Sequence, residues 1–319
     1  MGTQPVLAQA PAKINLALHV GPLRPDGYHD LATVYQAIDL HDQVRATLRS
    51  DPVVSVETVD RAGGPVAGVS DDHHHLAVLA AQSLRARGGV TAGVHLHVRK
   101  NIPVAAGLAG GSADAAAALL ACTELWGLGL DRAELLGLAA ELGSDVPFAL
   151  AGETALGAGR GEQVRPLTTG MATTWLLISS TPGLATPSVY AQTDRMREGS
   201  AVLQPQRPHL PDDLLAAVRS GEVTRLGPLL HNDLQPAALH LRPGLANVLA
   251  AGRAAGSIAG LVSGSGPTVL LLVADDAHAD AVAGAVAPVA RAALNDVQLR
   301  TVHGPVAGAR LVSRPSGSD

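Results

Sequence analysis

The chain has 319 residues, 47% of them hydrophobic and 16% charged, with a formal net charge of -5; that profile suits a globular protein with a well-filled core, built as two domains or one large one. No run of Lys and Arg exceeds a residue or two, which excludes nucleic acid and anionic membrane as partners. The start MGTQPVLAQAPAKINL lacks a basic segment followed by an apolar one, and no apolar run of about 18 residues escapes Gly, Pro or charge, so the expectation is a cytoplasmic chain without signal peptide or membrane span.

Residues 12–20, AKINLALHV, put Ile14, Leu16, Leu18 and Val20 on one face, which predicts a half-buried strand. The polar turn GPLRPDGYHD follows at 21–30, and strands are expected over 43–49 and 52–59. HLAVLAAQSLRARGG predicts a helix closed by Gly88 and Gly89. In AGVHLHVRK the alternation returns, with Val94, Leu96 and Val98 inward. Next comes PVAAGLAGGSADAAAALL, residues 103–120, a loop of small residues running straight into a strong helix former. That helix extends to about Gly127 and holds the single cysteine, Cys122, which among alanines reads as an inert buried thiol and suits a reducing compartment.

A second helix begins after Asp131, where Glu134 three residues on matches a capping box, and stops at Gly143. Beyond LGAGRGEQVRPLTTG, the segment TWLLISS reads as a buried strand. Residues 188–257 are expected to be mostly helical, with a proline-rich connection near 204–211. SIAGLVSGSGPTVLLLVAD predicts strand, glycine turn, strand; an alanine-rich helix and a last strand near VQLRTV complete the order. Mixed strands and helices in both halves predict an α+β chain, with a boundary near 160–170.

The glycine loop is the richest feature. A loop at a helix start offers unpaired N–H groups and the positive end of the helix dipole, which together suit phosphate. Glycine permits close backbone approach and φ values closed to other residues. Ser112 could cap the helix, touch phosphate or help hold Mg²⁺; an ordinary tight connection is the simpler alternative. No Gly-x-x-x-x-Gly-Lys-Ser/Thr occurs, and GLAGGS lacks the Gly-x-Gly-x-x-Gly order, so neither a P-loop nor a dinucleotide fold is indicated.

The pattern Pro-x-x-x-Gly-Leu-x-Gly-Gly-Ser-x-Asp-Ala, starting at Pro103, resembles the phosphate loop of the GHMP kinase superfamily. PAKINL at 11–16 and SGSGPTVLL at 263–271 stand in the order of that group's other signatures, and PDGYHDLATVYQAIDL and LGSDVPF resemble its branch acting on a cytidine diphosphate-linked methylerythritol. The resemblance runs from about residue 10 to about 305. It implies a two-domain GHMP kinase fold: a ribosomal-protein-S5-domain-2-like half carrying the ATP phosphate loop over 1–165, a ferredoxin-like half over 166–319, and the active site between them. It implies ATP as co-substrate, Mg²⁺ arriving with it, and transfer of the γ-phosphoryl group to the 2-hydroxyl of 4-diphosphocytidyl-2-C-methyl-D-erythritol in non-mevalonate isoprenoid precursor synthesis.

By the same resemblance the donor site comprises Pro103, Val104, Ala105, Ala106, Gly107, Leu108, Ala109, Gly110, Gly111, Ser112 and Ala113. Asp145 is then the base toward the acceptor hydroxyl, and Lys13 the cation that keeps it ionised and offsets developing charge. Without the resemblance, Lys13 suits the polar face of an edge strand and Asp145 the N-cap of a segment starting at Val146. The acceptor side takes all three tyrosines, with Tyr28 and Tyr190 stacking on cytosine, Tyr35 beside them, and His29 reading the base's polar edge. Asn15, on the strand face of Lys13, and Thr186 complete that set. Asn232 and Asp233 of HNDLQP read as structural, and the SGSG turn at 263–266 supports the cleft.

Departures from the family pattern are three. Ala109 stands where glycine is frequent, Ala113 where a second serine is, so one hydroxyl near the phosphates is missing, and His75 replaces the Asn of an Asp-Asn-Leu stretch. The run His73–His75 reads as a solvated turn before a helix, because adjacent residues point in different directions; no protein metal ligand is assigned. Two rival readings stay open: a homoserine- or mevalonate-type kinase of the same superfamily, and a ligand sensor that keeps the fold without the chemistry.

Overall fold

In the computed structural model residues 4–170, 172–198 and 207–312 are described. The apolar alternation at 12–20 belongs to a longer strand, β1 (Val6–Leu23), which turns at 24–28 into β2 (His29–Arg49). The two pair antiparallel over nearly their whole length, with irregularities at Pro11/Ala12, Asn15/Ala17 and Val20/Leu23. Only 43–49 of β2 is predicted from sequence. The reason is burial: Thr33–Ile38 are all buried, so that stretch shows no in–out alternation to read.

The chain continues through β3 (Val54–Val59), α1 (Leu76–Gly88), β4 (Gly93–Arg99), α2 (Gly110–Leu125), α3 (Arg132–Leu142), α4 (Val146–Ala151), β5 (Thr154–Ala158) and β6 (Gln163–Pro166). Helix α1 is capped by His75, whose Nδ1 accepts from the N–H of Ala77 at 3.1 Å, and ends on Gly89 at φ 62°. The expected capping box of Asp131 and Glu134 opens α3. In α2 the residues Ala113 and Ala115–Ala118 are fully buried; small side chains let the helix lie close across β1 and β2 while packing on α1.

Then come β7 (Thr173–Thr181), α5 (Thr186–Glu198), α6 (Asp212–Ser220), α7 (Val223–Leu226), a 3₁₀ turn (Gly227–Leu229), β8 (His231–Asn232), α8 (Gln235–Leu241), α9 (Gly244–Ala254), β9 (Ala259–Val262), β10 (Val269–Val273), α10 (Asp276–Ala293), β11 (Asn295–Gly304) and β12 (Arg310–Leu311). The proline-rich connection expected near 204–211 lies partly outside the described residues.

The strands form two sheets, so the chain is α+β. The larger runs β12-β1-β2-β4-β3, with β5 and β6 continuing from β2 and the short β8 parallel to β1; the smaller is antiparallel, β11-β7-β10-β9. Later segments of chain thus return twice to the larger sheet, as β8 and β12. Gln36 on β2 joins the sheets by accepting from Thr173 Oγ1 at 2.6 Å and Trp175 Nε1 at 3.3 Å on β7. Trp175 is fully buried at this junction. Among the described residues no helix is long and apolar enough to cross a membrane.

Candidate active site

Three left-handed residues in five shape the glycine loop: Ala105 at φ 51°, Gly107 at φ 77° and Ala109 at φ 58°. Glycine is obligatory at 107, since a Cβ there would meet the Ser263 carbonyl oxygen at 2.1 Å. The loop is held against the SGSG turn, where the Ser263 hydroxyl donates to the Gly107 carbonyl at 3.2 Å, and against β1, where the Lys13 N–H donates to the Leu108 carbonyl at 3.2 Å. The left-handed Ala109 also moves the helix start upstream: it is the N-cap residue of α2 and offers no side-chain cap. Ser112 is therefore the third residue of the helix rather than its cap. The first N–H groups of α2 are left for water or an anion.

A cavity of about 880 Å³ opens in front of this loop. Of the eleven loop residues expected at the donor site, Pro103 to Gly107 and Ala109 to Gly111 line it, whereas Leu108, Ser112 and Ala113 do not. Leu108 and Ala113 are buried in the core, so the serine expected at 113 would not stand toward the cavity.

Lys13 and Asp145 meet in the same cavity, with Lys13 Nζ 4.0 Å from Asp145 Oδ2. At Lys13 the strand partner is β2 alone, since β12 joins β1 at Ala8–Gln9 and β8 at Ala17–Leu18; between them the other side of β1 meets the glycine loop. Its ammonium donates to Asn15 Oδ1 at 2.8 Å, Asn15 Nδ2 donates to Thr33 Oγ1 at 2.8 Å, and Thr33 donates to the Ala17 carbonyl at 2.6 Å. Asn15 thus holds Lys13 in place, and it lines the cavity in which the acceptor contact is expected. Asp145 occupies the N-cap position of α4 but makes no capping bond. Its Oδ1 accepts from the Tyr35 hydroxyl at 3.1 Å. Burial first, and the Asp145 charge second, push the Tyr35 phenol well above its ordinary pKa, so it stays a donor to the carboxylate. Lys13 Nζ lies 5.7 Å from the centre of the Tyr35 ring, which packs on Phe148.

Across the cavity, Tyr28 is 51% exposed, with the Arg160 guanidinium 4.9 Å from its ring centre. The Tyr190 ring lies 5.1 Å from the His29 ring, and His29 Nε2 is 3.0 Å from Asp194 Oδ1. Thr186 shares a hydroxyl–hydroxyl bond of 3.0 Å with Ser265. Asn232 donates to the carbonyls of Val262 and Gly264, each at 2.8 Å, and so braces the SGSG turn.

Sequence reasoning missed a second charged group on the cavity wall. Lys100 is buried and donates to Asp42 and, at 2.6 Å, to Asp114; Asp42 also takes the N–H groups of Asn101 and Ile102. Burial opposes the Lys100 charge, but the Asp114 and Asp42 carboxylates outweigh it and raise its pKa. For Asp114 burial dominates and raises the pKa well above the usual range, against the pull of Lys100. The available signal is Asp114 itself, a charge set among the alanines of the helix's first turns. His75 sits nearby; burial first and Lys100 second lower its pKa, so the ring is neutral and accepts through Nδ1. It serves as a helix cap, not as part of a solvated turn; His73 and His74 are exposed.

Comparison with known proteins agrees with this geometry. The family described as GHMP kinases N terminal domain matches residues 75–153, and that described as GHMP kinases C terminal matches 214–289. A 4-diphosphocytidyl-2-C-methyl-D-erythritol kinase of Kineococcus radiotolerans is 53% identical over 274 residues, 86% of this chain and 83% of that protein. A crystal structure of 4-(cytidine 5'-diphospho)-2C-methyl-D-erythritol kinase is 33% identical, with a TM-score of 0.69 over 94% of this chain and all of that one. A homoserine kinase from Cytophaga hutchinsonii shares the fold, with a TM-score of 0.74 over 97% of each chain at 18% identity.

Proposed function

The chain belongs to the 4-diphosphocytidyl-2-C-methyl-D-erythritol kinases of the GHMP kinase family, and from that premise we propose how its cavity carries out the reaction. ATP is the co-substrate, and its phosphates lie along the loop from Pro103 to Gly111, against the N–H groups that open α2. The acceptor is 4-diphosphocytidyl-2-C-methyl-D-erythritol, its cytosine taken by Tyr28, His29 and Tyr190. Its 2-hydroxyl stands at Asp145. The carboxylate takes the hydroxyl proton as oxygen attacks the γ-phosphorus, the bond to the ADP oxygen breaks, and Lys13 offsets the charge on the group in transit. The product is the 2-phosphate, an intermediate of the non-mevalonate isoprenoid route.

The observation that supports this most directly is the 4.0 Å approach of Lys13 to Asp145 beside an uncapped, glycine-rich helix start in a single cavity. Tyr35 and Asn15 act as positioning residues, one on each partner. Mg²⁺ supplies charge neutralisation on the phosphates when bound. Asp114, which lines the cavity and whose Oδ1 has no partner among the described residues, fits it as an oxygen ligand. We divide the chain at 165/166, between the half bearing the ATP loop and the half bearing the SGSG turn. A cytoplasmic location belongs to the same reading; burial pushes the Cys122 thiol up and keeps it inert.

The test is phosphate transfer from γ-labelled ATP to three acceptors: the cytidyl compound, homoserine and mevalonate. Transfer to the first alone is expected. Preference for either of the others overturns the acceptor assignment, and absence of ATP consumption with all three supports the ligand-sensor alternative.

A further inference from the structure

A second cavity, of about 400 Å³, lies on the other side of α5: Tyr190 and Asp194 line the first cavity, and Thr193 and Arg197 the second. Nothing in the phosphoryl-transfer chemistry uses it, yet it gathers imidazoles. The parallel pairing of β1 with β8 sets Leu18 opposite Asn232 and brings His19 alongside His231. Their rings stand 4.5 Å apart at 15°, with His209 stacked 6.4 Å from His19. One nitrogen from each of His19 and His231 and one oxygen of Asp233 all lie within 4.8 Å of one another.

Three further features point to a ligand. The Nε2 of His19 is buried without a hydrogen-bond partner among the described residues, and such an atom is costly to leave unpaired. Asp233 is oriented from behind: its Oδ2 accepts the Val20 N–H at 2.7 Å, which turns Oδ1 toward His231 Nε2, also at 2.7 Å. Metal-binding carboxylates are commonly fixed by such a backbone bond. His19, His231 and Asp233 all line the one cavity, which gives an ion a common space to occupy. Two guanidiniums line this cavity, Arg197 and Arg207; Arg197 approaches Asp233 on Oδ2 at 3.4 Å and is otherwise committed to the carbonyls of Val20 and Gly21.

We propose that His19, His231 and the Oδ1 of Asp233 form a binding site for a divalent transition cation of the zinc class. Two imidazole nitrogens and a carboxylate favour that class and disfavour Mg²⁺, which takes oxygen ligands. Metal–ligand bonds of about 2.0–2.2 Å set tetrahedral donors about 3.3 Å apart, so His19 has to draw in while His231 and Asp233, now 2.7 Å apart, part slightly and exchange their contact for the metal; water takes the fourth position. The exposed edge of His231 gives the ion access from solvent. This site is independent of the acceptor assignment.

Zn²⁺ binding to the full chain, measured against a chromophoric chelator in millimolar Mg²⁺, tests it. One Zn²⁺ per chain is expected, with Co²⁺ giving the intense visible bands of four-coordination. His19→Gln and His231→Gln should each weaken binding at least tenfold, with circular dichroism verifying the fold. The paired change His73→Gln, His74→Gln, in the other histidine cluster, should leave it unchanged. Zinc-edge X-ray absorption on the unaltered chain needs no variant, and two imidazole ligands are expected. No stoichiometric Zn²⁺, a spectrum without imidazole, or binding that is lost with His73 and His74 while surviving the His19 and His231 changes overturns the proposal.

Discussion

Two lysine–carboxylate groups line the same cavity and are built in opposite ways. Lys100 lies between Asp42 and Asp114 with every partner nearly inaccessible, and two backbone N–H groups close off Asp42. Lys13 stands 4.0 Å from Asp145, whose side chain keeps 30% of its surface open. The first group makes nearly all its bonds inside the chain and holds α2 to β2 and the end of β4, with only the Asp114 Oδ1 left unpartnered among the described residues. The second leaves carboxylate lone pairs facing the cavity, which is what a proton acceptor requires. The same residue types thus become framework or reagent according to how completely their bonds are made within the chain.

The sharpest way to break this contrast is Asp145→Asn, which keeps shape and removes the acceptor. Turnover should fall by about 10³-fold, with ATP binding by calorimetry nearly unchanged; retained turnover would locate the base elsewhere. Lys100→Met should act on the other side of the ledger. It strands two buried carboxylates and should cost about 3–5 kcal/mol in denaturant unfolding, whereas Lys13→Met should remove turnover at a smaller stability cost of about 1–2 kcal/mol, because it leaves one buried amide oxygen, Asn15 Oδ1, without its donor while Asp145 stays partly open. Equal stability losses for the two lysines would erase the distinction drawn here.

Smaller changes sharpen it. Tyr35→Phe deletes one hydrogen bond to Asp145, worth about 1 kcal/mol, so kcat should drop about fivefold with a well-folded chain; an unchanged kcat would free Tyr35 from any role in positioning. Ala109→Gly should raise stability by about 1 kcal/mol, because an alanine at φ 58° is strained where glycine is not. A third charged group, on the surface, offers a control by pH alone. His303 donates between Asp276 and Asp39, which raise its pKa in that order of effect. Its contribution is therefore full below the ordinary histidine value and fades as pH rises through the raised one. Thermal melts of the chain and of His303→Ala should differ at pH 5 and converge by pH 9.

Much of this was legible from the residues because the informative pieces are short and continuous. The loop from Pro103, the capping box at Asp131, and the positions of Lys13 and Asp145 each sit in one stretch of chain, and their motif resemblance led to one cavity. What escaped is assembled from distant segments. Asp42 comes from β2, Lys100 from just past β4 and Asp114 from α2, and no local pattern announces their meeting. Asn15 lines the cavity, and its bond to Thr33, eighteen residues on, also makes its amide a brace for Lys13. Ser112 fits a cap on paper; the left-handed Ala109 starts the helix three residues early and makes it an interior position. The middle of β2 lacks alternation because both faces are covered, and a strand as short as β8 has no periodicity at all.

The seam between Gly107 and Ser263 has a consequence for how the enzyme matures. These residues are 156 positions apart, and Gly107 is seated with no room for even a methyl group. Contacts of such high order close late, after loop entropy has been overcome. A nascent chain emerging from the ribosome would therefore carry Lys13 and Asp145 long before the loop at 107–111 is rigid. Pulse-labelling hydrogen exchange during refolding should find the amides of 107–111 protected only once those of 262–269 are.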